Sequence, residues 1–201
     1  MELAHLKITK GTGKLANMLS LNTNTASNEF CKAMNSSPNA KVICTTCYSM
    51  KALRTYRKNC ATAWQHNSDQ LSQPLEDWQL PRLNSVYFRF SSHGELINET
   101  HAVNLFRICE VNPRTTFSLF TKRHKIIYKA LKTHKLPDNL ILIYSNPIKD
   151  RVMNKPPKMF HKVFNVTASQ HRSDNCTGNS CFSCLKCYSL DSDSVIVELE
   201  K

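Results

Sequence analysis

Short apolar runs alternate with helix-length segments through the middle of the chain. Four runs have the length and composition of buried β-strands, at residues 85–90, 115–120, 139–145 and 162–166. Strands separated by helical segments form βαβ units, in which the strands are parallel and the crossovers are right-handed. The pattern therefore predicts an α/β fold with a parallel sheet. One more apolar run, at residues 194–200, predicts an edge strand or a short tail.

Helical spacing is clearest in residues 50–71, where apolar positions recur mostly in steps of three and four. This periodicity predicts one amphipathic helix that ends before the next proline. A second helix is expected to begin at a cap formed by Asn98 or Thr100 and to run through Cys109. A third, basic helix is expected over residues 125–133.

The chain has 201 residues, which fits a single domain in three parts. Residues 1–48 form a polar loop region with at most one short strand, residues 49–167 form the α/β core, and residues 168–201 form a cysteine-rich segment. No stretch approaches the ~18 apolar residues of a membrane-spanning helix. The N-terminus also lacks the apolar run of a signal peptide. We therefore expect a cytoplasmic protein without a membrane partner.

The formal net charge of +12 is unevenly distributed. Residues 30–68 contain six Lys or Arg and no acidic residue, and residues 113–162 contain twelve basic residues against two acidic ones. A basic surface attracts polyanions, so nucleic acid is one expected partner, whereas a solvated face is the alternative. The residues expected in a positive patch are Lys122, Arg123, Lys125, Lys129 and Lys132.

Four cysteines near the C-terminus follow a C-x4-C-x2-C-x2-C pattern: Cys176, Cys181, Cys184 and Cys187. Two-residue spacers let successive sulfur atoms turn toward one centre, as in tetrahedral metal sites and iron–sulfur clusters. The spacing is closer to the cysteine runs of ferredoxins than to the two separated knuckles of zinc fingers. Disulfides are disfavoured in a reducing cytosol. We therefore expect an iron–sulfur cluster, preferably 4Fe–4S, with zinc as the alternative.

Three cysteines near the N-terminus form a second candidate set. Cys44 and Cys47 precede a predicted helix, whose N-terminus favours thiolate, and Cys31 is the expected third ligand. These three cysteines complete a second cluster or join the C-terminal one. Cys60 and Cys109 fall on helix faces and are expected to be core thiols, with Cys60 held in reserve as a ligand.

Polar residues follow three of the predicted strands. In parallel α/β sheets, ligands bind at the carboxyl ends of the strands, so these residues indicate one shared site. The alternative is that they are structural, with a carboxylate paired to a basic neighbour and an asparagine shaping a turn. The candidate ligand-binding residues are Ser92, Gly94, Glu95, Thr121, Lys122, Ser145 and Asn146.

The order of motifs resembles the tailed-phage gene product 88-like family. The shared elements are a leader "GTGK…SLNT", then "CTTCYS", "FRFSSHGELINETH", "NPRTTFSLFTKR" and "LILIYSNPI", and a closing cysteine cluster. The resemblance covers most of the chain. It implies a phage protein in the cytoplasm of the infected host cell, and it brings no established biochemical role.

A weaker resemblance is to radical S-adenosylmethionine enzymes. "SHGEL" lies where their "GGE" turn is expected, and "TKR" and "YSNP" are similar to turns of the spore-photoproduct-lyase branch. The resemblance implies a partial-barrel-like core of βα units, an open cluster on Cys31, Cys44 and Cys47, and a closed second cluster in the C-terminal loop. The usual C-x3-C-x2-C spacing is missing, and His93 replaces a glycine.

Three functions follow from these observations. The first is a phage-type iron–sulfur protein with a radical-SAM-like α/β core that acts on or binds nucleic acid. The second is an enzyme that uses S-adenosylmethionine at an open cluster. The third is a zinc-stapled module that binds nucleic acid or a host protein, because cysteine-only sites do not identify their metal. A hydrolase is disfavoured, since the chain has no G-x-S-x-G elbow, phosphate loop or H-E-x-x-H motif.

Overall fold

In the computed structural model, which describes residues 5–169 and 174–200, seven β-strands form one sheet. The strands are β1 (Ile8–Lys10), β2 (Leu19–Leu21), β3 (Tyr87–Phe90), β4 (Thr116–Thr121), β5 (Leu140–Ser145), β6 (Lys162–Thr167) and β7 (Val195–Leu199). They lie side by side in chain order. β1 is antiparallel to β2, and every later neighbouring pair is parallel. The prediction of an α/β fold with a parallel sheet is confirmed.

Six α-helices occur in the described part of the chain. They are α1 (Glu29–Asn35), α2 (Tyr48–Arg54), α3 (Ala61–Leu71), α4 (Glu99–Glu110), α5 (His124–Ala130) and α6 (Cys181–Cys184). The first three lie in the long connection from β2 to β3, and α4 and α5 each connect the next pair of strands. Because β2 to β6 are parallel to one another, their carboxyl ends lie at the same edge of the sheet, which we call the carboxyl edge. None of the described helices is long and apolar enough to cross a membrane.

The four central strands lie where the apolar runs predicted them, within two residues at each end. The run at the C-terminus is a strand, β7, which pairs with β6. The N-terminal region is more ordered than expected, because it contributes β1, β2 and α1. The helix expected over residues 50–71 is wrong: it is divided into α2 and α3. The apolar stripe has a gap between Leu53 and Cys60, and at Thr55 the backbone leaves the helical region (φ −124°, ψ −107°).

One face of the sheet packs under α3, α4 and α5 and forms the hydrophobic core. Aromatic residues of neighbouring strands meet there, and the rings of Phe90 and Phe117 stack with centroids 5.0 Å apart. Cys109 on α4 is fully buried in this core, as predicted for a core thiol. The α4 helix begins at Asn98, whose side chain accepts a hydrogen bond from the His101 N–H at 2.9 Å.

The opposite face of the sheet, which we call the inner face, is more polar. Ser20, Arg89 and Ser118 lie side by side on it in register on β2, β3 and β4. The cysteine-rich segment packs on the inner face, where the Tyr188 ring lies 5.3 Å from the Tyr87 ring. Because side chains alternate between the faces, the inner face is separate from the hydrophobic core.

Candidate functional site

The turn after β3 is fixed to the end of β2 by buried polar groups. The Asn22 side-chain carbonyl accepts hydrogen bonds from the Ser92 hydroxyl at 2.6 Å and from the His93 N–H at 2.9 Å. Gly94 has φ +82°, and a Cβ there would lie 2.1 Å from the Thr23 hydroxyl oxygen. Ser92 and Gly94 therefore have structural roles, because they hold the ends of the parallel strands β2 and β3 together.

Glu95 is 4% exposed, and its own neighbours satisfy its carboxylate. The carboxylate accepts hydrogen bonds from the Leu96 N–H (2.8 Å), the Thr121 hydroxyl (2.5 Å) and the Lys122 N–H (2.8 Å). Both oxygens are thus used to join the end of β3 to the end of β4. Glu95 is not paired with Lys or Arg side chains of the described residues in a salt bridge.

The third strand end combines a structural asparagine with an open polar pair. The Asn146 side chain donates to the Asn165 side chain at 2.9 Å and accepts from the Ile148 N–H at 3.1 Å, so it shapes the loop after β5. The Lys122 ammonium group donates to the Ser145 hydroxyl at 3.2 Å. Among the seven predicted ligand-binding residues, Lys122 and Ser145 are half-buried and lie at the carboxyl edge with capacity for further hydrogen bonds.

The three N-terminal cysteines, which we call the N-terminal set, lie on three different turns of the β2–β3 connection. Cys31 is in the first turn of α1, where its N–H donates to the Asn28 side chain at 3.2 Å. Cys44 is in a 3-10 turn, and its carbonyl accepts from the Asn35 side chain at 2.7 Å. Cys47 immediately precedes α2, as predicted. Local hydrogen bonds to asparagine side chains therefore fix the backbone at Cys31 and at Cys44.

Two thiols of the N-terminal set, those of Cys31 and Cys44, lie within electrostatic range of Lys122. Burial raises the pKa of the Cys31 thiol well above its usual value, Glu95 and the thiols of Cys47 and Cys44 add to the rise, and Lys122 opposes it. Burial likewise raises the pKa of Cys44, again opposed by Lys122. Burial alone would lower the pKa of Lys122, but Cys44 and Glu95 raise it. The thiol of Cys31 therefore lies within electrostatic range of the other two thiols, of the Glu95 carboxylate and of the Lys122 ammonium group at the carboxyl edge.

A histidine connects the N-terminal set to the end of β3. The His93 ring stacks on Trp64 with centroids 4.4 Å apart, and its Nδ1 lies 2.9 Å from the Ser49 hydroxyl. Burial, reinforced by Arg57 and Arg89, lowers the pKa of His93 to about 4. At neutral pH the ring is uncharged, and it holds the start of α2 against the strand end.

The four C-terminal cysteines, which we call the C-terminal set, line one cavity of 30 Å³. This volume exceeds the ~10–15 Å³ that one water molecule needs. The segment is fixed to β7 by Asn175, whose side chain donates to the Val195 carbonyl at 2.9 Å and accepts from the Val197 N–H at 3.0 Å. The members of the set are Cys176, Cys181, Cys184 and Cys187.

The thiols of the C-terminal set also influence one another. Burial raises the pKa of Cys187 to about 12, Arg89 opposes the rise, and Cys181 and Cys176 add to it. No three or more His, Cys, Asp or Glu side chains of the described residues are arranged to hold a single metal ion. Zn–S bonds near 2.3 Å would bring tetrahedral thiolates to about 4 Å from one another. The cysteines are therefore gathered in two sets without forming a ready single-ion centre.

A family model for gene product 88 matches residues 2–175. The chain belongs to the gene product 88 family. The matched residues include the whole N-terminal set and all the strand-end residues, and they end one residue before Cys176. No curated protein and no solved structure matches the chain. The family resemblance in the motifs is confirmed, whereas the closing cysteine cluster lies beyond the matched residues.

Several buried polar residues of the site were not anticipated from the sequence. Asn22, Thr25 and Asn28 follow β2 and are between 1% and 7% exposed, and Ser49 on α2 is 4% exposed. Thr25 and Ser49 share a hydrogen bond of 2.5 Å, and Thr25 also accepts from the Gly94 N–H. The sequence feature that could have indicated them is the run of polar residues after "MLSL". Once "MLSL" is recognised as a strand, this polar run lies at the carboxyl end of that strand.

His101, near the start of α4, is buried although histidine is a polar residue. The side chain is 1% exposed, and its Nδ1 accepts a hydrogen bond from the Ile97 N–H at 3.2 Å. Burial, reinforced by Arg123, lowers the pKa of His101 to about 3. The neutral ring is therefore part of the turn that precedes α4.

The burial of His101 predicts a loss of stability in mild acid. Because its folded pKa lies below the unfolded value of ~6.5, the unfolded chain binds a proton first as the pH falls. The stabilisation is complete above about pH 6.5, and about 2 kcal/mol of it is lost at pH 5. Urea unfolding at pH 7 and pH 5 measures this loss. The His101→Asn variant keeps an acceptor for Ile97 and should show a smaller loss, whereas an unchanged loss would contradict the assignment.

Proposed function

We propose that this gene product 88 protein is an iron–sulfur protein whose N-terminal set binds a cluster at the carboxyl edge of the sheet. The observation that carries the proposal is the mutual proximity of Cys31, Cys44 and Cys47, with Lys122 close to Cys31 and Cys44. Cysteines separated by up to sixteen positions in the sequence are brought together at the edge where parallel α/β sheets hold their ligands. The ammonium group supplies positive charge next to thiols that must ionise to bind metal.

The donor set fits a cluster better than a single ion. Thiolates are soft ligands that select zinc, copper(I) or iron–sulfur clusters. A cluster places iron and sulfide between its cysteines, so the sulfur atoms do not need to meet around one point. Three cysteines would leave one iron of a 4Fe–4S cluster without a protein thiolate. When bound, such a cluster supplies electron transfer and one open coordination position.

The C-terminal set is proposed as a second, closed site. Four thiols around one cavity provide the full cysteine complement of a 4Fe–4S cluster. The segment covers the inner face, so a cluster there would also fix the segment in place. Zinc in the C-terminal set is the alternative, in a module that binds nucleic acid or a host protein. A reducing cytoplasm, the proposed location, keeps both sets available for metal.

Binding of S-adenosylmethionine beside the N-terminal set is a second candidate function. It is favoured by Lys122 and Ser145, because the Lys122 ammonium group lies near the thiols of Cys44 and Cys31 and donates to the Ser145 hydroxyl. Ser92, Gly94, Glu95, Thr121 and Asn146 are used within the fold, so their proposed part is to shape the edge. They would not contact the cofactor through free side-chain groups. Glu95 in particular is not proposed to bind the amino group of the cofactor, because both of its carboxylate oxygens accept hydrogen bonds within the fold.

The test uses the full chain prepared without oxygen. Replacing Cys31, Cys44 and Cys47 together with alanine should remove the iron of the N-terminal set and leave that of the C-terminal set. Calorimetry then titrates S-adenosylmethionine into the wild type and into Lys122→Met. Heat of binding that is lost in Lys122→Met supports the second candidate. Iron content unaffected by the triple substitution would refute the first.

The basic surface is smaller than the sequence predicted. Arg123 donates to the carbonyls of Leu96 and Ile97 at 2.8 Å, and Lys122 is part of the site. On and next to α5, the exposed lysines that remain from the expected patch are Lys125, Lys129 and Lys132. Nucleic acid stays the proposed polyanionic partner for this helix.

Charge contacts on α5 should appear in the salt dependence of nucleic-acid binding. If these three lysines contact phosphates, replacing all three with glutamine should flatten the slope of log affinity against log salt by about 2–3, at ~0.7–0.9 for each contact. Fluorescence anisotropy with single- and double-stranded oligonucleotides measures the slope. A matched variant changes the exposed Lys7, Lys10 and Lys41 and should leave the slope unchanged. Equal slopes in all three proteins would leave α5 as a solvated face.

A further inference from the structure

Arg89 lies at the centre of the inner face with a fixed orientation. It is on β3, between Ser20 of β2 and Ser118 of β4. Its guanidinium carbon lies 3.4 Å from the centre of the Phe120 ring. A guanidinium group stacked on an aromatic ring has a defined plane, and its N–H groups point away from the ring along that plane. Arg89 is therefore oriented before any ligand arrives.

The guanidinium group of Arg89 has no carboxylate partner among the described residues. Its Nε is buried without a hydrogen-bond partner, and no carboxylate of the described residues forms a salt bridge with it. A buried donor that lacks a partner destabilises the fold, and the penalty is larger for a charged group. Such a group requires an explanation, and the common ones are a functional role or a bound ion.

Three other cations near the inner face, Lys14, Lys162 and Lys122, each have a salt-bridge or hydrogen-bond partner among the described residues. Lys14 forms a salt bridge with Glu198 at 2.7 Å. Lys162 donates to the Asp193 carbonyl at 2.8 Å. Lys122 donates to Ser145, as described above. Glu198 is the one carboxylate that the described strands place on the inner face, and Lys14 already neutralises it. Lys14 is thus neutralised, and Lys162 and Lys122 have neutral hydrogen-bond acceptors, whereas the Arg89 Nε has neither kind of partner among the described residues.

We propose that Arg89 binds one oxyanion group, a carboxylate or a phosphate, of a ligand that lies on the inner face between the two cysteine sets. The planar fork of arginine N–H groups matches the paired oxygens of both groups. Phe120 and Phe164, whose ring centroids are 5.5 Å apart, provide an apolar wall beside the fork. The proposal does not depend on metal in either cysteine set, because it rests on the stacking and the missing partner of Arg89.

Thermal unfolding of the full-length chain tests the proposal with phosphate and acetate as probes and chloride as the reference at matched ionic strength. A ligand that binds only the folded chain raises the unfolding midpoint as its concentration increases. We expect such a rise for the wild type with at least one oxyanion. The oxyanion with the larger shift identifies the group that the natural ligand carries. Arg89→Gln should weaken the apparent affinity by at least about tenfold, as for the loss of a charged hydrogen-bonded pair. Arg114→Gln is the matched control, since Arg114 is exposed.

Arg89→Met distinguishes ligand binding from a structural role. Removing an unpaired, half-buried charge should leave the unfolding midpoint in chloride at or above that of the wild type. The proposal is overturned if both Arg89 variants are much less stable in chloride or fail to fold, because the residue would then hold the fold together. Equal oxyanion shifts in wild type and Arg89→Gln also overturn it.

Discussion

Replacing Cys181 with alanine is expected to remove about half of the iron that the anaerobically prepared chain binds, because one of two 4Fe–4S clusters would lose a ligand. Cys181 lines the 30 Å³ cavity with the other three cysteines of the C-terminal set. Burial raises the pKa of its thiol, and the nearby Cys176 thiol raises it further. The cavity has no further cysteine to replace the missing thiolate. Iron and sulfide per chain, together with absorption spectra, measure the loss.

Cys60→Ala is the matched control for this experiment. Cys60 is half-buried in a 3-10 turn before α3, and it does not line the cavity. Its replacement should leave the iron content unchanged, which would also remove it as a reserve ligand. If Cys181→Ala keeps all of its iron, the C-terminal set is not a cluster site. If Cys60→Ala loses iron, Cys60 is itself a ligand.

Gly94→Ala is expected to destabilise the fold by about 3 kcal/mol, the sum of a left-handed backbone and an overpacked contact. Gly94 has φ +82°, which residues with a Cβ rarely adopt. The new Cβ would lie 2.1 Å from the Thr23 hydroxyl oxygen and 2.5 Å from the Thr23 carbonyl oxygen. The carbonyl is backbone at the end of β2, so it cannot move aside without disturbing the sheet. Denaturant unfolding gives the difference in free energy.

Gly13→Ala separates the two causes. Gly13 also has positive φ, +57°, but a Cβ there would have no atom within 4 Å. Its replacement should therefore destabilise the fold by only about 1 kcal/mol, the backbone part of the effect. Similar losses in both variants would show that the contact with Thr23 does not matter. The turn after β3 would then be less tightly fixed than the structure indicates.

The sequence predicted most of the sheet because its central strands are short apolar runs separated by helices. β2 was missed, since three residues between polar loops give too little periodicity to recognise. The break between α2 and α3 was missed for a related reason. The gap in the apolar stripe between Leu53 and Cys60 does not by itself show that the helix ends there. The end of α2 is recognised only from the backbone of the folded chain. β7 was left open between an edge strand and a tail because only its pairing with β6 distinguishes the two.

The site was predicted in part. Helix position and cysteine spacing were enough to suggest Cys31, Cys44 and Cys47 as candidate ligands. Local chain geometry determines where a thiol before a helix can point. The role of Glu95 was not predictable, since its partners are backbone N–H groups and a hydroxyl that arrive from the next strand. The sequence also could not predict that the Arg89 Nε lacks a hydrogen-bond partner. Its neighbours are known only from the folded structure.

Iron, acid-labile sulfide and zinc per chain, determined on wild-type protein purified without oxygen, test the central proposal most directly. Two 4Fe–4S clusters correspond to about eight iron and eight sulfide per chain, and a single cluster to about four of each. The account predicts iron and sulfide in equal amounts and a brown protein, with both cysteine sets contributing to the colour. Stoichiometric zinc with neither iron nor sulfide would contradict it.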